Sequence, residues 1–412
     1  TGLTMVAFPH IFFYDGRGAN KPWLQEVPEP VSQIVWDSWA EIHPDTARQL
    51  DVAEGDIVEL RSQHGRIEVA AHIFDRIEPG VVAVPIGQGH TAFGRYANGR
   101  GCNPWRVLAD GRRIARVELS RTGRRDVPVT PLGLTTMLNR PFVETISLND
   151  LVKGIKPPPF EEEPPEPYEV YEKYTYEKHQ WGMTIDVNAC TGCSACVAAC
   201  YAENNVPFVG KDEIARGRIM SWVRIDRYFP ETPSSKLIQI MPMLCQQCDH
   251  APCEPVCPVF AAYHTDEGIN GQVYNRCVGT RYCENNCSYK VRRFNFYKPE
   301  WPAPLNLQLN PDVTVRGAGV MEKCTFCIQR IRSAEMNAEA DDKRPVRDGE
   351  IVPACAQACP AKAITFGDMK DPSSAVMRRR DDNPLRAYRA LENLNTQPSI
   401  VYLRDIYQGE KA

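Results

Sequence analysis

The sequence lacks long apolar runs, and its positive and negative charges nearly balance. No stretch of the 412 residues is apolar enough to span a bilayer, so the chain itself is not expected to cross a membrane. The net charge of −4 is too small to indicate binding to nucleic acid or to an anionic membrane surface. Residues 1–20 also lack the basic, apolar and small-residue order of a signal peptide. Because position 1 is Thr, we expect the chain to continue a longer polypeptide, whose upstream part is then a partner.

Cysteine is almost absent outside one region of the chain. Cys102 stands alone, and the other fifteen cysteines lie between residues 190 and 359, mostly two or three residues apart. A secreted disulfide scaffold is shorter and spaces its cysteines more widely. Closely spaced cysteines are instead good chelators of one metal centre. A lone cysteine such as Cys102 is expected to be a small buried hydrophobe.

The first of three predicted parts, residues 1–125, has the pattern of a β-barrel. Residues 57–61 and 67–73 are β-branched, partly alternating runs, and residues 81–86 form an apolar run after a turn. Residues 44–50 are predicted to form a short helix with a proline in its first turn. Taken alone, this pattern is explained by a β-barrel that binds no ligand.

The other two predicted parts are a connector, residues 126–180, and a metal-binding region, residues 181–412. The connector is rich in Pro and Glu between residues 156 and 167, and its aromatic residues between 160 and 176 suggest a strap lying on a neighbouring surface. In the third part, residues 221–227 and 271–275 are predicted to be strands. Its tail, residues 371–407, is charged, free of cysteine and predicted to be partly helical.

The fifteen clustered cysteines form four groups. These are Cys190-x2-Cys193-x2-Cys196-x3-Cys200, Cys245-x2-Cys248-x4-Cys253-x3-Cys257, Cys277-x5-Cys283-x3-Cys287, and Cys324-x2-Cys327 with Cys355-x3-Cys359. Group one has the spacing of bacterial ferredoxins, and groups two and four are each followed by a proline, Pro258 and Pro360. Three cysteines on one tight loop can reach three irons of a cubane, while the fourth cysteine begins a helix and reaches a neighbouring cluster. Structural zinc is an alternative for group four, but four successive groups favour iron–sulfur clusters over zinc or disulfides.

Group three departs from this spacing at one position. Thr280 stands where the second cysteine of the group belongs. A threonine hydroxyl is a poor iron ligand beside thiolates, so this corner of the cube is expected to lose its iron and leave a 3Fe–4S cluster. The alternative is a 4Fe–4S cluster completed by water or by the Thr280 oxygen.

Taken together, the four groups resemble those of the four-cluster electron-transfer subunits of polysulfide, nitrate and dimethyl sulfoxide reductases, in the molybdopterin oxidoreductase superfamily. In that family, groups one and four share two clusters, and groups two and three share two more. The resemblance implies three 4Fe–4S clusters and one 3Fe–4S cluster. The implied ligand sets are Cys190, Cys193, Cys196 and Cys359; Cys324, Cys327, Cys355 and Cys200; Cys245, Cys248, Cys253 and Cys287; and Cys257, Cys277 and Cys283, with Thr280 at the open corner. In the nitrate reductase subunit the incomplete cluster lies nearest the membrane subunit.

The first part resembles the pterin-dinucleotide-binding domain of the same superfamily, whose fold is a double-psi β-barrel. The matching motifs, in order, lie at residues 22–26, 44–47, 54–56, 79–81 and 101–104. Asn103 and residues 87–90 fall where the pterin contacts of that family are expected. The fold class that these resemblances imply is α+β, with a double-psi β-barrel followed by a ferredoxin-like four-cluster domain made of two dicluster modules.

Fusion of such a barrel to a four-cluster region resembles the large iron–sulfur subunit of bacterial alternative complex III, a quinol:electron-acceptor oxidoreductase. Residues 202–207, 222–228 and 322–327 match that family as well. The resemblance implies that the barrel carries no molybdenum cofactor and that this chain relays electrons without a catalytic quinol site. It also implies two kinds of partner, a polysulfide-reductase-type membrane subunit that oxidises quinol and c-type haem subunits. The implied location is peripheral, on the periplasmic face of the bacterial inner membrane.

Two other functions are compatible with these residues. One is the electron-transfer part of a molybdopterin-dependent reductase or dehydrogenase, whose metal would be carried by the upstream half. A molybdenum ligand in that upstream sequence would favour this function. The other is a soluble polyferredoxin carrier, which would purify without membranes or haem.

Overall fold

The structure is a computed structural model that describes residues 2–131, 135–138, 140, 142–157, 174–230, 238–296 and 298–408. The chain folds into two units. The barrel unit comprises residues 1–133 and 208–219, and the cysteine-rich unit comprises residues 134–207 and 220–412. The predicted division at residues 125 and 180 stays a prediction, since most of the Pro- and Glu-rich centre of the connector lies outside the described residues.

Six strands of the barrel unit form a closed barrel in the order β1-β5-β2-β4-β3-β6. They are β1 (Leu3–Pro9), β2 (Trp39–Ile42), β3 (Asp56–Arg61), β4 (Arg66–Ile73), β5 (Val81–Ile86) and β6 (Ile114–Arg125). Helices α1 (Pro22–Glu26) and α2 (Pro44–Gln49) and a 3-10 helix (Pro104–Val107) lie in the connections. The runs predicted as β3, β4, β5 and α2 are confirmed to within a residue.

The barrel closes because alternate residues of its strands are apolar and point to one side. In β3, Val58 and Leu60 are fully buried, and they share their core with Met5, Ile42 and Val82. Cys102 belongs to the same core. Its burial raises the pKa of the thiol to about 12. The prediction that Cys102 is a buried small hydrophobe is therefore confirmed.

A short segment from between the first two cysteine groups belongs to the barrel unit. It contains helix α5 (Lys211–Ala215). The buried carboxylate of Glu26 accepts hydrogen bonds from the backbone N–H groups of Val209 (2.7 Å) and Gly210 (2.9 Å) and from Nε1 of Trp36 (3.2 Å). Lys211 Nζ forms ion pairs with Asp37 and Asp126 at 2.7 and 2.6 Å. Side-chain contacts therefore hold this segment on the barrel unit.

Replacing Glu26 with Ala is expected to lower the free energy of unfolding of the barrel unit by about 3 kcal/mol, because three donors lose a buried charged acceptor. Hydrogen exchange at the amides of Val209 and Gly210 should become faster, and thermal unfolding should begin at a lower temperature. Glu213→Ala is the matched control, since Glu213 pairs with Arg216 and Arg218 at the surface of the same segment. Equal exchange rates in the two variants would show that Glu26 does not hold the segment.

The cysteine-rich unit combines short strands with short helices. Its strands are β7 (Thr145–Ser147), β8 (Trp181–Asp186), β9 (Arg224–Tyr228), β10 (Gln239–Met243), β11 (Ala262–His264), β12 (Asn270–Gln272), β13 (Arg293–Phe294), β14 (Met321–Glu322), β15 (Ile364–Asp368), β16 (Ala387–Tyr388), β17 (Ile400–Leu403) and β18 (Asp405–Tyr407). Its helices are α3 (Leu148–Lys153), α4 (Ala195–Glu203), α6 (Tyr282–Asn286), α7 (Ile328–Ala340), α8 (Ala354–Ala358) and α9 (Ala375–Asp381), with 3-10 turns at Tyr274–Arg276, Leu305–Gln308 and Glu392–Leu394. None of the helices in the described ranges is both long and apolar enough to cross a bilayer.

A four-stranded sheet in the order β15-β8-β17-β16 joins distant parts of this unit. Strand β17 pairs in parallel with β8, and β15 pairs with β8 in antiparallel fashion. The tail, predicted to be partly helical, therefore contributes strands as well as α9. Residues 400–403 are all buried, and so short an apolar run does not by itself distinguish a central strand from a helix.

The other strand predictions for this unit are confirmed in part. The strand predicted at residues 221–227 is β9, which begins three residues later. The strand predicted at residues 271–275 is β12, and it gives way to a 3-10 turn at Tyr274.

The end of the predicted strap lies on the cysteine-rich unit. The ring of Tyr174 stacks on His264 with centroids 4.1 Å apart. The hydroxyl of Tyr176 donates to Oδ1 of Asp249 at 2.7 Å. Residues 158–173, which hold the rest of the strap, lie outside the described part of the chain.

Candidate iron–sulfur centres

The cysteine loops place their thiols by means of residues in the left-handed region. In group one, Gly192 and Ser194 have φ values of 69° and 57°, and α4 begins at the next residue. In group three, Gly279 and Arg281 have φ values of 73° and 61°, and α6 begins at the next residue. The two loops therefore follow the same local path, and Thr280 occupies the position of the second cysteine, as its spacing predicts.

The structure brings the cysteines together in four sets. In each set, burial and then the charges of the neighbouring thiols raise the pKa of one member: Cys196 beside Cys190, Cys193 and Cys359; Cys200 beside Cys324, Cys327 and Cys355; Cys248 beside Cys245, Cys253 and Cys287; and Cys283 beside Cys257 and Cys277. Burial is the larger cause, and it raises the pKa of Cys196 to about 12. We number these sets one to four. They have the same members as the ligand sets implied by the family resemblance, and ligation of iron by them stays a prediction.

Contacts between sets indicate their order. Burial and the charge of Cys196 both raise the pKa of Cys355, so sets one and two are neighbours. Burial and the charge of Cys245 likewise raise the pKa of Cys324, so sets two and three are neighbours. The Arg292 guanidinium opposes the effect of burial on the pKa of Cys283, in set four, and of Cys253, in set three. The sets therefore follow one another in a row, from one to four.

Several thiols are positioned as acceptors of hydrogen bonds. The N–H donors are Ala261 N to Cys257 (3.1 Å), Ala363 N to Cys359 (3.3 Å), Met321 N to Cys277 (3.4 Å), Phe326 N to Cys324 (3.5 Å) and Asn204 Nδ2 to Cys200 (3.5 Å). Such donors stabilise a thiolate and tune the reduction potential of a cluster bound to it. The cysteines of the two Cys-Pro sequences accept the same kind of hydrogen bond, because in each case the donor is the backbone N–H of an alanine four residues after the cysteine.

Two of the sets line cavities. All four thiols of set three face one cavity, together with Asn270 and Arg292. All three thiols of set four line another cavity, and Thr280 lines it too. The buried Nε of Arg292 has no hydrogen-bond partner among the described residues, as expected for a donor that faces an absent acceptor group. The donor set, the spare donor and the cavities fit iron–sulfur clusters.

Ligands of a single ion stand closer together than ligands of a cluster. Among the described residues, no three His, Cys, Asp or Glu side chains are gathered as one metal ion requires. The thiols of a cubane each bind a different iron, so they are spaced more widely than the four ligands of a zinc ion.

Two buried cations near the thiols were not predicted from the sequence. Arg292 is 1% exposed and Lys323 is fully buried. Lys323 donates to the backbone oxygen of Cys324 at 2.9 Å, and its charge acts on the thiols of Cys324 and Cys253. No local pattern distinguishes these side chains from the exposed basic residues of the chain, and only their position beside a cysteine group could have drawn attention to them.

The loops expected to contact a pterin are closed by internal contacts. Gln25 and Gln88 exchange hydrogen bonds through their side-chain amides, at 2.8 and 3.2 Å. A Cβ at Gly89 would stand 2.3 Å from the backbone N of Asn103, so the two loops are in contact. The side-chain oxygen of Asn103 accepts from Trp105 N at 3.1 Å. The side chains of Gln88 and Asn103 are therefore engaged within the chain, whereas the buried Nε2 of His90, in the same loop as Gln88, has no hydrogen-bond partner among the described residues.

Comparison with known proteins identifies the class of this protein. Residues 23–107 match the family described as Molydopterin dinucleotide binding domain. The menaquinone reductase iron–sulfur cluster-binding subunit of Nitratidesulfovibrio vulgaris is 41% identical over 55% of this chain and 89% of its own length. The Hdr-like menaquinol oxidoreductase iron–sulfur subunit 1 of Archaeoglobus fulgidus is 34% identical over 55% of this chain and 84% of its own. The polysulfide reductase B subunit of Wolinella succinogenes is 32% identical over 54% of this chain and 92% of its own.

These similarities define an iron–sulfur electron-transfer protein. The chain belongs to the family of iron–sulfur subunits of quinone- and polysulfide-type oxidoreductases. The resemblance to polysulfide and dimethyl sulfoxide reductase subunits is confirmed. The expected barrel of the molybdopterin-binding type is confirmed as a closed six-stranded barrel in an α+β chain. The solved structure of acetylene hydratase from Pelobacter acetylenicus aligns with 28% of this chain and 18% of its own, at a TM-score of 0.23 and 17% identity, which is too low to support an argument.

Proposed function

We propose that this chain is the electron-relay subunit of a membrane-associated quinol:electron-acceptor oxidoreductase of the alternative complex III type. The observation that carries this proposal is the gathering of fifteen cysteines into four neighbouring sets, three with four thiols and one with three. Bound to these thiols, iron–sulfur clusters supply one-electron transfer over a wide range of potentials. The chain's own part is to hold the thiols, to exclude water from them and to set the potentials through nearby donors and charges.

The four sets are proposed to hold three 4Fe–4S clusters and one 3Fe–4S cluster, the last in set four. Thr280 lines the cavity of set four beside its three thiols. Its hydroxyl competes poorly with thiolate for iron, so the fourth corner is left without a protein ligand. The sets fall into two dicluster modules, in which groups one and four share two sets and groups two and three share the other two.

The fused barrel favours the alternative complex III type over a separate electron-transfer subunit. The alignment with the menaquinone reductase subunit accounts for 89% of that protein but only 55% of this chain. The part of this chain that matches the pterin-dinucleotide family, residues 23–107, is fused to the cysteine-rich region in one polypeptide. The partners of this proposal are a polysulfide-reductase-type membrane subunit that oxidises quinol and c-type haem subunits.

Set four is proposed to lie nearest the membrane partner, on the periplasmic face of the inner membrane. Large apolar side chains surround it at the surface, with Phe260 63%, Val278 64% and Tyr282 56% exposed. Exposed apolar groups that cluster in this way are typical of an interaction surface. A 3Fe–4S cluster of high potential suits the first acceptor from quinol, which is only mildly reducing.

A molybdopterin-dependent reductase or dehydrogenase is the second candidate function. The match of residues 23–107 to the pterin-dinucleotide-binding family favours it. The mutual pairing of Gln25 with Gln88 and the contact of Gly89 with Asn103 favour a barrel that works as a scaffold. The proposal is therefore that the barrel binds no molybdenum cofactor.

Metal analysis of the intact purified complex tests the two functions against each other. We expect about fifteen iron atoms per copy of this chain, after subtraction of haem iron, and no stoichiometric molybdenum or tungsten. Haem should be present in the same preparation. One molybdenum or tungsten per chain would overturn the scaffold role of the barrel and establish the second candidate. Purification without haem or membrane lipid would favour a soluble carrier.

A further inference from the structure

Arg292 is a buried cation beside the last two thiol sets. Its side chain is 1% exposed. Its Nη1 donates to the thiol of Cys253, in set three, at 3.4 Å and to Oδ1 of Asn270 at 3.0 Å. Its Nη2 donates to Oε1 of Gln272, which lines the cavity of set four, and its charge opposes the effect of burial on the pKa of the Cys283 thiol in that set.

Among the described residues, no acidic side chain forms an ion pair with this guanidinium. The acceptors of its hydrogen bonds there are two amide oxygens and the thiol of Cys253. A buried charge is costly unless an opposite charge lies near it. The thiols of sets three and four are the groups near Arg292 that become negative when they hold iron. The folded chain therefore stabilises anionic centres on both sides of Arg292.

We propose that Arg292 is a positioning residue whose permanent charge is shared by the centres of sets three and four and raises the reduction potentials of both. A centre gains one negative charge when it takes up one electron, so a nearby cation stabilises the reduced form. The effect is large because water is excluded and the local dielectric constant is low. Since one charge serves both centres, their potentials move together and remain matched for transfer between them. This inference rests on the proposed function, which places clusters in these sets.

The test uses the intact complex with Arg292→Met, Arg292→Lys and Lys290→Gln, and it follows each centre by EPR during a redox titration. Arg292→Met removes the buried charge and should lower both potentials by about 59 mV or more, a tenfold change in the one-electron equilibrium. Arg292→Lys keeps the charge and should shift that equilibrium less than threefold. Lys290 is exposed, lies two residues before Arg292 and lines neither cavity, so Lys290→Gln is the matched control. Its charge is screened by water, and its loss should shift the equilibrium less than threefold.

Gln272→Glu provides a second variant if Arg292→Met fails to assemble. It places a carboxylate of the same shape against Nη2 of Arg292 and should lower both potentials because it neutralises the shared charge. If the reduction potentials are unchanged when the charge is removed, the charge does not set them. Equal shifts in the Arg292→Met and Arg292→Lys variants would lead to the same conclusion. A change in the reduction potential of only one centre would show that the two centres do not share the charge of Arg292. Four intact clusters with unshifted potentials would reject this inference alone, whereas loss of all clusters from the wild-type chain would reject the proposed function.

Discussion

Quinol-driven reduction of the clusters is expected to slow by at least a hundredfold when Cys283 is replaced with Ser. Cys283 is one of only three thiols in set four, so its loss leaves two ligands and disrupts the cluster at that site. Because this cluster is proposed as the first acceptor, electrons from quinol then have no entry. Dithionite, a small soluble reductant, should still reduce the other three clusters. The measurement is stopped-flow reduction of the assembled variant with a quinol and with dithionite.

Cys102→Ser is the matched control for this experiment. Cys102 is a buried cysteine of the barrel core and belongs to none of the four sets, so its substitution should leave the rate of reduction by quinol unchanged. Assembly is checked by the haem content of the purified complex. Undiminished quinol oxidation by an assembled Cys283→Ser complex would mean that electrons enter elsewhere and that set four holds a side branch.

Supplying the missing thiol with Thr280→Cys should convert the proposed 3Fe–4S cluster into a 4Fe–4S cluster. Thr280 lines the same cavity as Cys257, Cys277 and Cys283, in the loop position that a cysteine occupies in group one. Iron should rise from about fifteen to about sixteen atoms per chain, and the EPR signal of an oxidised 3Fe–4S cluster should disappear. The potential of the centre should fall, so quinol should reduce it less completely.

Thr280→Ser is the control, because serine keeps a hydroxyl and offers no thiolate. Its iron content and its EPR spectrum should match those of the unmodified chain. If the unmodified chain already holds about sixteen iron atoms and lacks the 3Fe–4S signal, the argument from Thr280 fails. Water or the Thr280 oxygen would then complete a 4Fe–4S cluster.

The local features of the cysteine-rich unit could be predicted from the sequence. The four cysteine groups are defined by spacing, because one tight loop brings residues three apart to neighbouring corners of a cluster. The position of Thr280 followed from the same spacing, and the backbone of group three follows that of group one. The alternating runs of β3 and β4 predicted barrel strands for the same reason, since the two-residue period of a strand is local.

Pairings between distant segments could not be derived from local patterns. Spacing does not say that Cys200 meets Cys324 or that Cys359 meets Cys196, which became an expectation only through family resemblance. Strand β17 was missed because a short apolar run becomes a strand only when it pairs with β8. The environment of Arg292 was invisible for a related reason, since an arginine is usually exposed and its burial depends on segments far away in sequence.

The sequence by itself determined the kind of chemistry, because thiols at ligand spacing select iron–sulfur clusters, and a hydroxyl in place of one thiol predicts that one cluster is incomplete. It also determined strands β3, β4 and β5 and helix α2 of the barrel, where neighbouring residues set the period, but it did not reveal β1, β2 and β6. Only the tertiary structure decided the order of the four sets, the attachment of residues 208–219 to Glu26, and the burial of Arg292 between sets three and four. The physical reason is the distance along the chain over which each effect acts. Ligand spacing and strand period act over a few residues, whereas the field at a cluster comes from every charge that folding places around it.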